Sequence, residues 1–254
     1  MRGPREIVPG VYGLGSEMVN WYLVEQEGRL TAVDAGLAGF AKTLEADLAA
    51  IGHSLAALEA VVLTHSDADH TGLVPRLREA GARVLIHERD EQTLRRPAAK
   101  KGDASPVHLL PWLVRPGLWK LVAHMARQGA GFPAKIEGAE TYAGAVRLDV
   151  PGGPLVIETP GHTPGHCALL FEGHGALFVG DGMCTLNALT GAVGPQLMPR
   201  PLNVDNAQCL RSLDQIENVH ADVLLPGHGE PWRGGVAVAV ARARGLVTEV
   251  VQPA

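Results

Sequence analysis

The 254-residue chain is too long for a disulfide-stapled mini-domain, and with 46% hydrophobic and 19% charged residues it has material for a sizeable core and too little charge for disorder. A net charge of −5, from 22 Lys+Arg against 27 Asp+Glu, excludes phosphate tracking as the main function, so no nucleic-acid partner is expected. Aromatics at 4%, beside 31 Gly and 18 Pro, exclude a long coiled coil and predict many turns.

In chain order, the Met1 to Gly10 stretch carries Arg2 and Arg5 but no apolar run of signal-peptide length. Val19 to Glu25 and Arg29 to Asp34 read as strands, the second ending in the turn Asp34-Ala35-Gly36. Phe40, Leu44, Leu48 and Ile51 recur at helical spacing and predict an amphipathic helix stopped by Gly52. Ala60 to Leu63 is a short buried strand, Thr64 to Thr71 a polar loop, Leu73 to Ala80 a second helix and Arg83 to His87 a further strand. From Glu88 to about Glu140 the rhythm breaks, and the apolar run from Trp112 to Met125 predicts a helical insertion, a candidate lid at about 90–140. Strands resume at Val146 to Val150, Leu155 to Thr159, Cys167 to Phe171 and Ala176 to Gly180, followed by a helix from Asp205 to Val219 and a strand at Val223 to Leu225. The order is that of a layered α/β protein, read as one domain over 1–254 with functional loops at strand ends. The apolar stretch Val236 to Val240 is far short of the roughly 20 residues that span a bilayer. Cys167, Cys184 and Cys209 form no CxxC pair, which fits a reducing compartment; a cytoplasmic protein without membrane contact is expected.

Histidine and aspartate gather where strands end. Thr64-His65-Ser66-Asp67-Ala68-Asp69-His70 places four side chains of metal-ligand type in six residues. His162 lies in Gly161-His162-Thr163-Pro164-Gly165-His166, Asp181 follows Leu177 to Gly180, and His228 sits in Pro226-Gly227-His228-Gly229. Taken singly, each could be a capping or hydrogen-bonded polar residue; taken together they are better explained by a metal site. His53, His87, His108, His124, His174 and His220 fit no ligand spacing. Trp112, Trp119, Met125 and Phe132 read as core or lid packing, with an apolar substrate pocket as the alternative, Lys100-Lys101 as solvated charge, and Cys184 as small-residue packing.

These motifs, in this order, resemble the metallo-β-lactamase superfamily. His65, Asp69 and His70 fit its HxHxDH loop, His162 sits in the GHTxGH form of the hydroxyacylglutathione-hydrolase branch, and Asp181 and His228 complete the series. The resemblance runs from about Tyr12 to Trp232 and implies an αββα sandwich of two βα halves around two divalent metal ions, zinc foremost, with Mn(II) or Fe(II) as alternatives. It further implies one site of His65, Asp67 and His162, a second of Asp69, His70 and His228, and Asp181 bridging, with Asp34 as a structural Asp nearby. His166 is expected to support the loop rather than to ligate. The implied reaction is hydrolysis of a small ester, lactone, thioester or related carbonyl substrate by a hydroxide between the ions, which Asp69 orients and whose proton it accepts.

The chain departs from the family pattern at Asp67, where a His is usual, so the loop reads HxDxDH. Three carboxylates and a hydroxide neutralise two divalent ions, whereas a His would leave one net positive charge; Asp67 should blunt the acidification of bound water and favour harder ions. A helix-entry or capping role is the other reading of Asp67. Only 26 residues follow His228, short for the helical domain that binds glutathione in hydroxyacylglutathione hydrolases, so that substrate is disfavoured. Two other functions compete: a flavodiiron-like di-iron redox core without a flavodoxin domain, and a non-catalytic metal-binding module.

Overall fold

The computed structural model describes residues 2–97, 102–103, 110, 112–130 and 134–251. Lys100, Lys101, His108 and Phe132 lie outside the described residues. Strands β1 (Arg2–Val8), β2 (Val11–Gly15), β3 (Asn20–Gln26) and β4 (Arg29–Val33) form an antiparallel meander. Helix α1 (Leu44–Ala50) then leads to β5 (Leu58–Val62), and α2 (Ala68–Thr71) and α3 (Val74–Glu79) to β6 (Arg83–His87). Helices α4 (Glu88–Arg95) and α5 (Pro116–Arg127) precede β7 (Glu140–Tyr142). These strands make one seven-stranded sheet in sequence order, parallel from β4 to β7.

A second sheet, ordered β13-β10-β9-β8, is built from β8 (Leu155–Glu158), β9 (Cys167–Phe171), β10 (Ala176–Gly180) and β13 (Val223–Pro226). A hairpin of β11 (Cys184–Leu186) and β12 (Val193–Gln196) and helix α6 (Asn206–Ser212) lie between β10 and β13, and α7 (Val236–Val251) follows.

Alternation along the strands explains the layering. In β3, Trp21 and Leu23 pack with Leu44, Leu48 and Leu77 of the helices, while Tyr22 and Val24 pack with Phe171 and Phe178 of the other sheet. In β10, Ala176 and Phe178 face the first sheet, and Leu177 and Val179 face Leu213, Ala239 and Val240. Sheets covered on both faces require apolar residues on both, so their strands read as short unbroken apolar runs. The result is the αββα sandwich. Parallel β4, β5 and β6 in one sheet, and β10 and β13 in the other, direct their following loops to one edge.

The structure differs from the expected elements in places. Val146 to Val150 forms no strand; only Arg147 bridges, to Leu155, because the turn through Pro151 to Pro154 closes immediately after it, although Leu148 and Val150 do enter the inter-sheet core. The helix over 40–51 is a 3-10 turn, Ala38–Lys42, followed by α1, and the helix over 205–219 is α6 followed by a 3-10 turn, Leu213–Gln215. The loop 64–71 contains the short α2. Strands β1, β2, β7, β11 and β12 and helix α7 have no counterpart among the expected elements, whereas α4 and α5 lie within the expected helical insertion. Among the described residues, no helix is long and apolar enough to cross a membrane.

Phe178 packs edge-on against both Tyr22 and Phe171, with ring centroids 5.2 Å apart in each pair. Phe178→Ala is expected to cost about 3–5 kcal/mol of stability, read as a lowered midpoint in urea unfolding.

Candidate metal centre

The loop edge gathers the residues singled out in the sequence. Asp34 closes β4 at a left-handed φ of 58° and is buried. Its Oδ1 accepts from the Thr64 backbone N–H at 2.8 Å, and its Oδ2 accepts from His70 Nδ1–H at 2.8 Å. One carboxylate thus ties the end of β4 to the end of β5 and sets the ring of His70.

All four motif histidines are held the same way, by an oxygen at Nδ1. His65 Nδ1 meets Thr64 Oγ1 at 2.9 Å, and that hydroxyl donates to Asp34. His162 Nδ1 meets Asn203 Oδ1 at 2.9 Å, and His228 Nδ1 meets the Met18 carbonyl. An acceptor at Nδ1 puts the proton there and leaves the Nε2 lone pair to face a common space.

That space contains the carboxylates. Asp181 Oδ2 lies 3.2 Å from His228 Nε2 and 3.4 Å from His162 Nε2, and its Oδ1 lies 3.3 Å from His70 Nε2. Asp67 Oδ2 lies 3.0 Å from His162 Nε2 and 3.5 Å from His65 Nε2; although Asp67 occupies the N-cap of α2, its side chain makes no capping bond. Asp69 Oδ2 lies 3.5 Å from His228 Nε2. Donor atoms within 4.8 Å of one another form three groups among the described residues: His65, Asp67 and His162; Asp69, His70 and His228; and His65, His70 and Asp181. His65 Nε2, His70 Nε2 and Asp181 Oδ1 are buried without a hydrogen-bond partner. Buried polar atoms left this way are costly, and a cation satisfies imidazole nitrogens and carboxylates at once. The donor set therefore fits divalent metal.

Burial holds His65 well below the usual imidazole range, reinforced by His70. Burial opposes charge on His70 and His228 too, but the surrounding carboxylates outweigh it: His70 rises well above its ordinary value, chiefly through Asp181 and Asp34, and His228 to about 9 through Asp181. Asp181 is held low by His228 and His70 against the effect of its own burial.

His166 does not join these groups. Burial pushes it down to about 3, and the neutral ring has Nδ1 3.1 Å from the Thr159 carbonyl while Nε2 accepts from the backbone N–H of Asp181 and Gly182 at 3.1 and 3.0 Å. It holds the loop that carries Asp181. Close approach is built in at Gly227, where a Cβ would lie 2.4 Å from Asp181 Oδ1 and 2.5 Å from His70 Cε1.

Asp67, Asp69, His162, Asp181 and His228 floor a cavity of about 280 Å³. Leu121 and Met125 of α5 form one wall, and Leu186, Met198, Pro201 and Leu202 the other. Helix α5 is tethered by Ser16 Oγ to His124 Nε2 at 3.1 Å and by the Gly39 N–H to the Gln128 carbonyl at 2.9 Å. Trp119 turns away and donates from Nε1 to the Leu113 carbonyl. Cys184 is buried, with Sγ 3.8 Å from the Leu197 carbonyl, and does not line the cavity.

Sequence reasoning missed Thr64, Met18, Asn203 and Asp90. Buried Asp90 of α4 accepts from the Ser66 N–H at 3.1 Å, Thr163 Oγ1 at 2.7 Å and the Gly165 N–H at 2.7 Å, clamping the His65 and His162 loops together. Thr64 had a signal, its place beside His65; Asn203, Met18 and Asp90 act across long sequence separations. Asp90→Ala strands three buried donors and should cost about 2–4 kcal/mol in chemical denaturation, with Asp90→Asn losing less because one acceptor oxygen remains.

Comparison with known proteins identifies the family. A family model of the metallo-beta-lactamase superfamily matches residues 14–228. The probable metallo-hydrolase YqjP of Bacillus subtilis is 29% identical over 232 residues, covering 88% of this chain and 70% of YqjP. The crystal structure of the metallo-beta-lactamase family protein TTHA1429 from Thermus thermophilus superposes with a TM-score of 0.69 at 26% identity, over 96% of this chain and 81% of that one. A Cronobacter sakazakii metallo-beta-lactamase with a HARLDQ motif shares the fold at 21% identity and a TM-score of 0.70, over 98% of this chain and 94% of that one. The chain belongs to the metallo-β-lactamase superfamily.

Proposed function

We propose that the protein is a metal-dependent hydrolase of small, uncharged carbonyl substrates, an ester, lactone or thioester, whose apolar part lies against α5. The observation that carries this reading is the convergence of seven imidazole and carboxylate groups, five of which, Asp67, Asp69, His162, Asp181 and His228, line an apolar-walled cavity. In this reading His65, Asp67 and His162 would hold one divalent ion and Asp69, His70 and His228 a second, with Asp181 available to both. Zinc is the ion assigned; elemental analysis of protein purified without added metal separates it from manganese and iron. When bound, such ions lower the pKa of water and polarise a carbonyl oxygen.

The chain's own contributions follow from its geometry. Asp69 lines the cavity beside His228 and would orient the attacking water and accept its proton. Leu121, Met125, Leu186 and Met198 exclude bulk water and seat the apolar substituent. Asp34, Thr64, Asn203 and the Met18 carbonyl keep the Nε2 atoms aimed at the floor. The three buried cysteines form no disulfide, which suits a cytoplasmic enzyme.

A panel of lactones, thioesters, alkyl esters, β-lactams and phosphodiesters tests the reading. Turnover should be fastest for the uncharged alkyl-bearing compounds and disappear in Asp69→Ala; silence across the panel at full metal occupancy would overturn it. Asp67→His removes a negative charge beside the nucleophilic water, so the acidic limb of the pH–rate profile should move to lower pH. An unmoved limb would remove Asp67 from the metal centre.

A further inference from the structure

The group formed by His65, Asp67 and His162 is supported from a distant part of the chain. His162 Nδ1–H donates to Asn203 Oδ1 at 2.9 Å, and the buried Asn203 amide donates from Nδ2 to the Met198 carbonyl at 3.0 Å and to Asn206 Oδ1 at 2.9 Å. Asn206 donates from both its backbone N–H and its Nδ2 to Asp103 Oδ2, each at 2.9 Å. Asp103 donates its own backbone N–H to the Val204 carbonyl at 2.9 Å. The same 203–206 strap is tied to the His162 loop by Val204 N–H to the His162 carbonyl at 3.3 Å and Asp205 N–H to the Gly161 carbonyl at 2.9 Å. Gly102 has a φ of 81°, and a Cβ there would lie 2.3 Å from the Val204 carbonyl oxygen, so the Gly102–Asp103 turn sits at a distance that glycine allows.

We propose that Asp103 is a positioning residue for the His65, Asp67 and His162 metal group, acting through Asn206, Asn203 and His162. The order of donors explains how. Asn203 can offer Oδ1 to His162 only while its Nδ2 is engaged elsewhere, and Asn206 Oδ1 is one of its two acceptors. Asp103 and the Arg200 carbonyl, which accepts from Asn206 Nδ2 at 3.1 Å, together fix the Asn206 amide. Without Asp103, Asn206 loses one of these two acceptors, its Oδ1 restrains Asn203 less tightly, and the His162 tautomer protonated at Nδ1 is held less firmly. Coupling of this kind is reciprocal: an ion in this group favours docking of the Gly102–Asp103 turn by the factor by which docking raises its affinity. The inference rests on the metal-centre reading and is independent of the substrate.

The test is titration of metal-free protein with Co(II), followed by calorimetry and visible absorption; the binding step absent in Asp67→Ala marks the group in question. Asp103→Ala and Gly102→Ala should each weaken that step about tenfold while leaving the Asp69, His70 and His228 step within about twofold. Asp103→Asn keeps an acceptor oxygen for Asn206 and should restore most of the affinity, which separates positioning from a general loss of structure. If the step absent in Asp67→Ala is unchanged in both Asp103→Ala and Gly102→Ala, or if both steps weaken equally, the proposal is overturned. Absence of Co(II) uptake by the unaltered protein would instead overturn the metal-centre reading itself, and this proposal with it.

Discussion

Three carboxylates, Asp67, Asp69 and Asp181, face one another at the floor of one cavity, and their mutual repulsion is the constraint to which the rest of the site answers. Like charges in a poorly hydrated space repel strongly, and imidazoles relieve this only by taking protons. The carboxylates accordingly raise the basicity of His70 and His228 despite burial. Divalent cations relieve it more completely, because they satisfy the carboxylates and the stranded nitrogens together. The arrangement therefore makes sense as a receptacle for positive charge, and each loop is anchored from behind so that it cannot relax away from the repulsion.

The anchors come from both sheets. Asp34, held in a sparsely populated backbone conformation, joins β4, β5 and His70, so its local strain is supported by several bonds at once. Asp90 joins the two loops that carry His65 and His162. Across the sandwich, Tyr22 Oη donates to the Pro226 carbonyl at 2.6 Å and Asn20 Nδ2 to the Gly229 carbonyl at 2.6 Å, fixing the His228 turn against β3. The inter-sheet core thus does more than stabilise the fold: it sets the spacing between groups contributed by opposite halves of the chain.

The parts legible in the sequence were those with local signatures. Apolar runs such as Cys167 to Phe171 announced strands buried on both faces, and the density of His and Asp after Val62 announced the loop. The unread parts depend on partners far along the chain. Nothing near Asn203 points to His162, and Asp90 looks like an ordinary helical acid until folding places Ser66, Thr163 and Gly165 around it. Strands β1 and β12 contain both Pro and Gly, and β11 is only three residues long, so they lack the alternation that identifies a strand. Val146 to Val150 shows the converse: its apolar character reflects burial in the inter-sheet core without a ladder.

Helix α5 reaches the metal centre only through side chains such as Leu121 and Met125, and it is joined to the sandwich by tethers at Ser16 and Gly39 that involve none of the motif residues. The floor of the cavity and the wall that α5 supplies are thus written in separate stretches of chain. In a lineage carrying this architecture, what the enzyme accepts could diverge by drift in one helix while what it does to the bond is inherited unchanged.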